Sequence, residues 1–337
     1  WKASKWPLNR HFYSVRSVVS TRIMPFVDEI LKYRSVSIVG LEKNTGKTEC
    51  LNYIINRLPT DYFSVAVTSI GLDGESLDQV TSTAKPEITM REGMFFGTSE
   101  KHYRERKIIS ELFEVSDMTT ALGRVVTAKA LQEGKVLLSG PSSGSALKRW
   151  MSSLNDFGID LILVDGALSR LSTASPAISE AMVLSTGAAF SANIKDLVSK
   201  TAFVIDLINL PLFTGKETET EISSFSDLGT DVIKKHTVIG VEGALTNRLL
   251  QVVKNELPKG EKELVVNDFT RIFVSPDLYR SFIRRGGRIS VRMKSKLIAV
   301  CVNPVAPNGI VLDSDLLCST LSAAIGLPVY DIVKNRE

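Results

Sequence analysis

Val36-Ser37-Ile38-Val39-Gly40-Leu41-Glu42-Lys43-Asn44-Thr45-Gly46-Lys47-Thr48-Glu49-Cys50 begins as an apolar run and passes through Gly-Lys-Thr. The run is short, branched and uncharged, the pattern of a strand buried on both faces. Beyond it Leu51, Ile54, Ile55 and Leu58 recur at the spacing of one helix face. Strand, glycine-bearing loop and helix in that order predict a phosphate-binding loop. Gly40 opens the turn, and Gly46 lets the backbone close around an anion. Lys47 reaches the outer phosphates, and Thr48 offers a hydroxyl to magnesium. The helix points its positive dipole end at the same place. The usual G-x-x-x-x-G-K-[ST] spacing is one residue shorter than that between Gly40 and Gly46 here. The plain alternative is a strand-turn-helix with Lys47 in solvent.

Such a loop needs an acid at the end of a neighbouring strand. Leu161-Ile162-Leu163-Val164-Asp165-Gly166 supplies one. Asp165 either holds magnesium or caps the next turn. At the end of the second apolar run, 65–70, comes Ile70-Gly71-Leu72-Asp73-Gly74-Glu75. Asp73 either ligates magnesium through water and orients an attacking water, or belongs to a glycine-containing acidic turn. The expected catalytic set is Lys47, Asp73 and Asp165, with Thr48, Asp165 and Asp73 around the metal. Asn303-Pro304 ends another apolar run, and the amide of Asn303 either reads an adenine edge or starts a turn. The expected nucleotide contacts are therefore Gly40, Asn44, Thr45, Gly46, Lys47, Thr48, Glu49 and Asn303. Ser139-Gly140-Pro141-Ser142-Ser143-Gly144 reads equally as a ligand approach or a plain loop. Ser185-Thr186-Gly187-Ala188 reads as a strand-end turn and a candidate phosphate-sensing switch.

The chain has 337 residues, 44% apolar and 23% charged, enough for one large core or two smaller ones. A net charge of +4 without a basic, aromatic-interleaved stripe argues against nucleic acid as a partner. The basic run Arg284, Arg285, Arg288, Arg292, Lys294 and Lys296 reads as a solvated hairpin face or a phosphate- or partner-facing patch. Three cysteines without a C-x-x-C pair point to a reducing, cytoplasmic setting. Three scattered histidines give no metal cluster. No apolar run reaches the roughly 18 residues of a membrane-spanning helix. Residues 1–27 carry Lys2, Lys5, Arg10, Arg16 and Arg22 and no acid, which reads as an added extension in preference to an import peptide.

Apolar runs at 36–39, 65–70, 136–139, 161–164 and 203–205 predict strands. Residues 107–112, 119–132 and 147–155 predict helices between them. The expected fold class is α/β: a mostly parallel sheet with helices on both faces, and a further C-terminal α/β portion. The expected organisation is an extension over 1–33, a nucleotide-binding core over 34–213, a linker or long loop over 214–230, and 231–337. In that last part, strands are expected at 238–241, 264–266, 272–274, 289–291, 297–302 and 329–333. They either form a second domain or complete the first sheet. Val164-Asp165-Gly166-Ala167-Leu168 is echoed by Val241-Glu242-Gly243-Ala244-Leu245, read as two similar turns and not a repeat.

The Gly40, Gly46, Lys47, Thr48 spacing resembles the dethiobiotin synthetase branch of phosphate-loop proteins, whose loop carries one extra residue. That resemblance implies phosphate and metal contacts at Lys47 and Thr48, with Asp165 as the metal-side acid. That branch places a lysine after its second strand; here Thr68-Ser69-Ile70-Gly71 has none. Several segments together resemble one subunit of the lysine 5,6-aminomutase reactivase. They are the 40–48 loop, Thr68 to Glu75, Val164-Asp165-Gly166-Ala167, Gly243-Ala244-Leu245-Thr246 and Val302-Asn303-Pro304. This resemblance runs from about residue 36 to the C-terminus. It implies an ATP- and magnesium-dependent accessory protein that helps an adenosylcobalamin-dependent mutase expel a damaged cofactor. The implied partners are a second reactivase subunit or the mutase, with an oligomer compatible and no membrane.

Overall fold

The computed structural model describes residues 25–70, 87–167, 175–223, 230–257 and 261–334. In chain order the strands are β1 (Ser35–Gly40), β2 (Val65–Ser69), β3 (Ile88–Met90), β4 (Phe95–Ser99), β5 (Ser110–Thr120) and β6 (Gly123–Ala130). Next come β7 (Gly134–Val136), β8 (Leu161–Ala167), β9 (Ala181–Gly187), β10 (Thr220–Ile222), β11 (Val238–Val241) and β12 (Leu245–Thr246). The last are β13 (Glu263–Val266), β14 (Ile272–Phe273), β15 (Arg288–Val291), β16 (Lys296–Asn303) and β17 (Val329–Asp331).

Among the described residues, nine strands form one sheet in the order β17-β16-β9-β1-β8-β2-β4-β6-β5. It is parallel from β17 to β4 and antiparallel through β6 and β5. β1 lies in the middle, buried at every position. That burial is why its sequence is a continuous apolar and small-residue run without polar alternation. Helices Pro25–Ile30 and Lys47–Arg57 cover one face, packing on Val36, Ile38, Leu161 and Leu163. On the other face Leu147 and Trp150 of helix Gly144–Ser153 cover Ala66, Ile162 and Val164. Further along that face, helices Ile194–Ile208 and Ser314–Ile325 join an apolar cluster with Val39, Leu184 and Val300.

That cluster continues into Ile239, Leu264 and Ile289 of a second, all-parallel sheet ordered β10-β11-β13-β15. After β15 the chain returns to the first sheet: β16 pairs with β9, and β17 lies outside β16. The later strands thus divide between the second sheet, a short parallel β12–β14 pair and the first sheet.

Four local expectations are corrected. The strand expected over 203–205 lies inside helix Ile194–Ile208. Asn193 Oδ1 caps that helix by accepting from Asp196 N at 3.2 Å, and Leu197, Thr201, Ile205 and Ile208 are buried at helical spacing. The helices expected over 107–112 and 119–132 give way to the β5–β6 hairpin. Its turn uses Gly123 at φ +96°, and the open edge of β4 supplies β6 with a partner. Of residues 136–139 only Val136 is in a strand, paired antiparallel with β3. β9 fills a central position of which the sequence announced only the closing turn at 185–188. The basic run is spread from the end of helix Pro276–Arg284 through β15 and the turn after it to the start of β16. Arg288 pairs with Glu261 at 3.0 Å, and Arg292, just after β15, pairs with Glu221.

Candidate functional site

The carboxyl ends of three adjacent parallel strands meet at the 40–48 loop. Gly40, the last residue of β1, is level with Ala167 of β8 and Ser185 of β9. This is the edge of an open α/β sheet where ligands bind. Leu41 N donates to Ser185 O at 2.9 Å, and Ser185 Oγ donates to Thr45 O at 2.6 Å. Within the loop Thr45 Oγ1 donates to Glu42 O at 2.9 Å, and Lys43 N donates to Glu42 Oε1 at 3.0 Å. Asn44 takes a left-handed φ of 60°, and Glu42, Lys43 and Asn44 are exposed.

Both loop glycines are sterically required. A Cβ on Gly40 would stand 2.8 Å from Thr45 Oγ1. Gly46 has φ +87°, and its Cβ would stand 2.6 Å from Asn303 Cβ. Gly46 is also the N-cap of helix Lys47–Arg57, and no side chain caps that end. The first N–H groups of the helix therefore look outward at the sheet edge, as an anion site requires.

Lys47 and Asp165 converge here. Lys47 Nζ lies 3.1 Å from Asp165 Oδ1, and the two side chains are 25% and 16% exposed. Asp165 Oδ1 is itself buried and, beyond this ion pair, accepts no hydrogen bond among the described residues. A buried carboxylate oxygen in that state retains capacity for a cation. Thr48 and Glu49 are half-buried in the first helical turn. Asp73 lies outside the described residues.

No protein-family model, no curated protein and no solved structure matches this chain. The chemistry of the site is read from its own atoms. Among the described residues no group of three or more His, Cys, Asp or Glu side chains gathers as a metal cage. None of their helices is long and apolar enough to cross a membrane.

Asn303 reaches the loop from β16, whose last residue is level with Gly187 of β9. Its Oδ1 accepts from Val305 N at 3.1 Å, and its Nδ2 lies 3.4 Å from the place a Gly46 Cβ would take. The amide oxygen is engaged with its own chain while the donor end lies beside the loop. On the β2 side, Gly140 packs so closely that its Cβ would stand 2.2 Å from Ser69 O. Ser69 is level with Asp165, so the 139–144 segment borders the same strand ends.

Two contributors carry little sequence signal. The Ser185 hydroxyl tethers the loop, yet a serine near a strand end is common. Ser139 Oγ lies 2.8 Å from His102 Nδ1, 2.6 Å from Ser99 Oγ and 3.2 Å from Thr98 Oγ1, all buried. This network fixes the start of the 139–144 segment against β4.

Proposed function

We propose that the chain binds ATP at the 40–48 loop and hydrolyses it to remodel a protein partner. The observation that carries this reading is the convergence of Lys47 and Asp165 beside a left-handed Gly46 and an uncapped helix start. In this reading Lys47 leaves Asp165 to contact the outer phosphates, and the backbone N–H groups of 46–48 cradle them. Asn303 Nδ2 donates to the nucleotide from the opposite wall. Thr48 and Asp165 fit magnesium: one hydroxyl and one buried, under-used carboxylate oxygen suit an ion that keeps several waters. Bound there, magnesium would neutralise phosphate charge. Asp73 is proposed to place the attacking water. The partner is proposed to be an adenosylcobalamin-dependent lysine 5,6-aminomutase or a second reactivase subunit, in the cytoplasm. The three thiols, all free, accord with a reducing compartment.

Lys47→Ala and Asp165→Asn test the reading together. ATP binding by calorimetry should fall at least about 100-fold in Lys47→Ala, the loss of a charge-assisted phosphate contact in a shielded site. Asp165→Asn should keep ATP binding and lose magnesium-dependent phosphate release. Wild-type affinity and turnover in Lys47→Ala would falsify the reading. Turnover that requires a small carboxylate would indicate a synthetase related to dethiobiotin synthetase.

A further inference from the structure

A cavity of about 430 Å³ lies at the seam where the elements around the first sheet meet the β12–β14 pair. One wall is the first turns of helix Gly144–Ser153, with Lys148. The second is the segment just before β9, with Ser175 and Ile178. The third is the 3-10 turn Phe269–Arg271 and β14, with Thr270, Arg271 and Phe273. The volume falls within the range of small-molecule sites, roughly 300–1,000 Å³. It exceeds what a bare inorganic anion fills.

Two of the three walls are tied together by one carboxylate. Asp268 is 3% exposed. Its Oδ2 accepts from Ser175 Oγ at 2.7 Å, and its Oδ1 accepts from Thr270 N at 2.9 Å and from Thr270 Oγ1. Both carboxylate oxygens are thus occupied by wall donors. Lys148 and Arg271 are exposed and, among the described residues, neither has an acidic partner. Phe273 leaves half of its surface open beside them. Two uncommitted cations and an open aromatic face on a rigid frame select charge and shape together.

We infer that this seam cavity binds a small organic anion, a phosphate or carboxylate carrying a flat apolar body. Lys148 and Arg271 hold the anionic group, and Phe273 with Ile178 covers the apolar body. No residue of the 40–48 loop lines this cavity, and the inference stands whether or not that loop turns over ATP.

The test is calorimetric titration of the full chain with phenyl phosphate, with phenol as the uncharged control. Wild type should bind phenyl phosphate and not phenol. Lys148→Ala and Arg271→Ala should each weaken binding about ten-fold, the scale of one charge-assisted hydrogen bond. Phe273→Ser should weaken it too, and Lys47→Ala should leave it unchanged. All four positions are solvent-accessible, and a wild-type circular dichroism spectrum checks folding of each variant. Failure of wild type to bind, equal binding of phenol, or full affinity in a Lys148→Ala/Arg271→Ala double variant overturns the inference. Loss of binding in Lys47→Ala places the probe in the 40–48 loop and overturns it as well.

Discussion

At Gly46 the backbone and the neighbouring strand impose separate demands. A φ of +87° disfavours any Cβ, and Asn303 occupies the space that a Cβ would take. Gly46→Ala should therefore cost about 2 kcal/mol or more, read as a lower urea midpoint at unchanged slope. Adding Asn303→Gly should recover the steric part and leave the backbone part; full recovery would sink the claim of a conformational requirement. The strand–loop–helix turn at 40–48 was legible because a glycine-bearing loop joins an apolar run to an apolar-periodic one. Asp165 was legible because an acid ends an otherwise apolar run. The contact between Asn303 and Gly46 was not, because it depends on which strands become neighbours.

Among the elements, the β5–β6 hairpin was the least legible. Its residues include Lys, Glu, Leu and Ala, all good helix formers, and the free edge of β4 decides against them. Position is reinforced from helix Glu100–Arg104. Glu100 accepts from Arg124 Nη2 and Arg124 N, each at 2.8 Å. These bonds from Arg124 lower the Glu100 carboxyl from 4.5 to about 2. A depressed carboxyl stabilises the fold above its ordinary value and loses that contribution as pH falls through its folded value. Arg124→Met should thus have a lower Tm than wild type above pH 4.5, with the gap closing by about pH 2. The pair is exposed, so the gap is small. A gap that persists unchanged to the acid limit would refute this account. By contrast, helix Gly144–Ser153 was legible in outline, since Leu147, Trp150 and Leu154 recur at helical spacing.

For the whole molecule, the deciding feature is that one apolar cluster spans both sheets. The class of the first sheet was legible from its branched runs. The division of the later strands was not, because β11 and β16 are equally apolar and only packing separates them. Asp268 adds a polar clasp across the seam, joining Ser175 to Thr270. Asp268→Ala should lower stability by about 3 kcal/mol, the scale of losing buried hydrogen bonds to a charge, while unfolding stays a single transition. Two separated transitions would contradict the shared cluster. The order of synthesis gives β16 a further consequence. It is made after the entire second sheet, yet it lies between β9 and β17 and brings Asn303 to Gly46. On the ribosome, β9 must wait with a bare edge and the loop must wait without its far wall. The approach of Asn303 to Gly46 therefore cannot form until translation has run through residue 303.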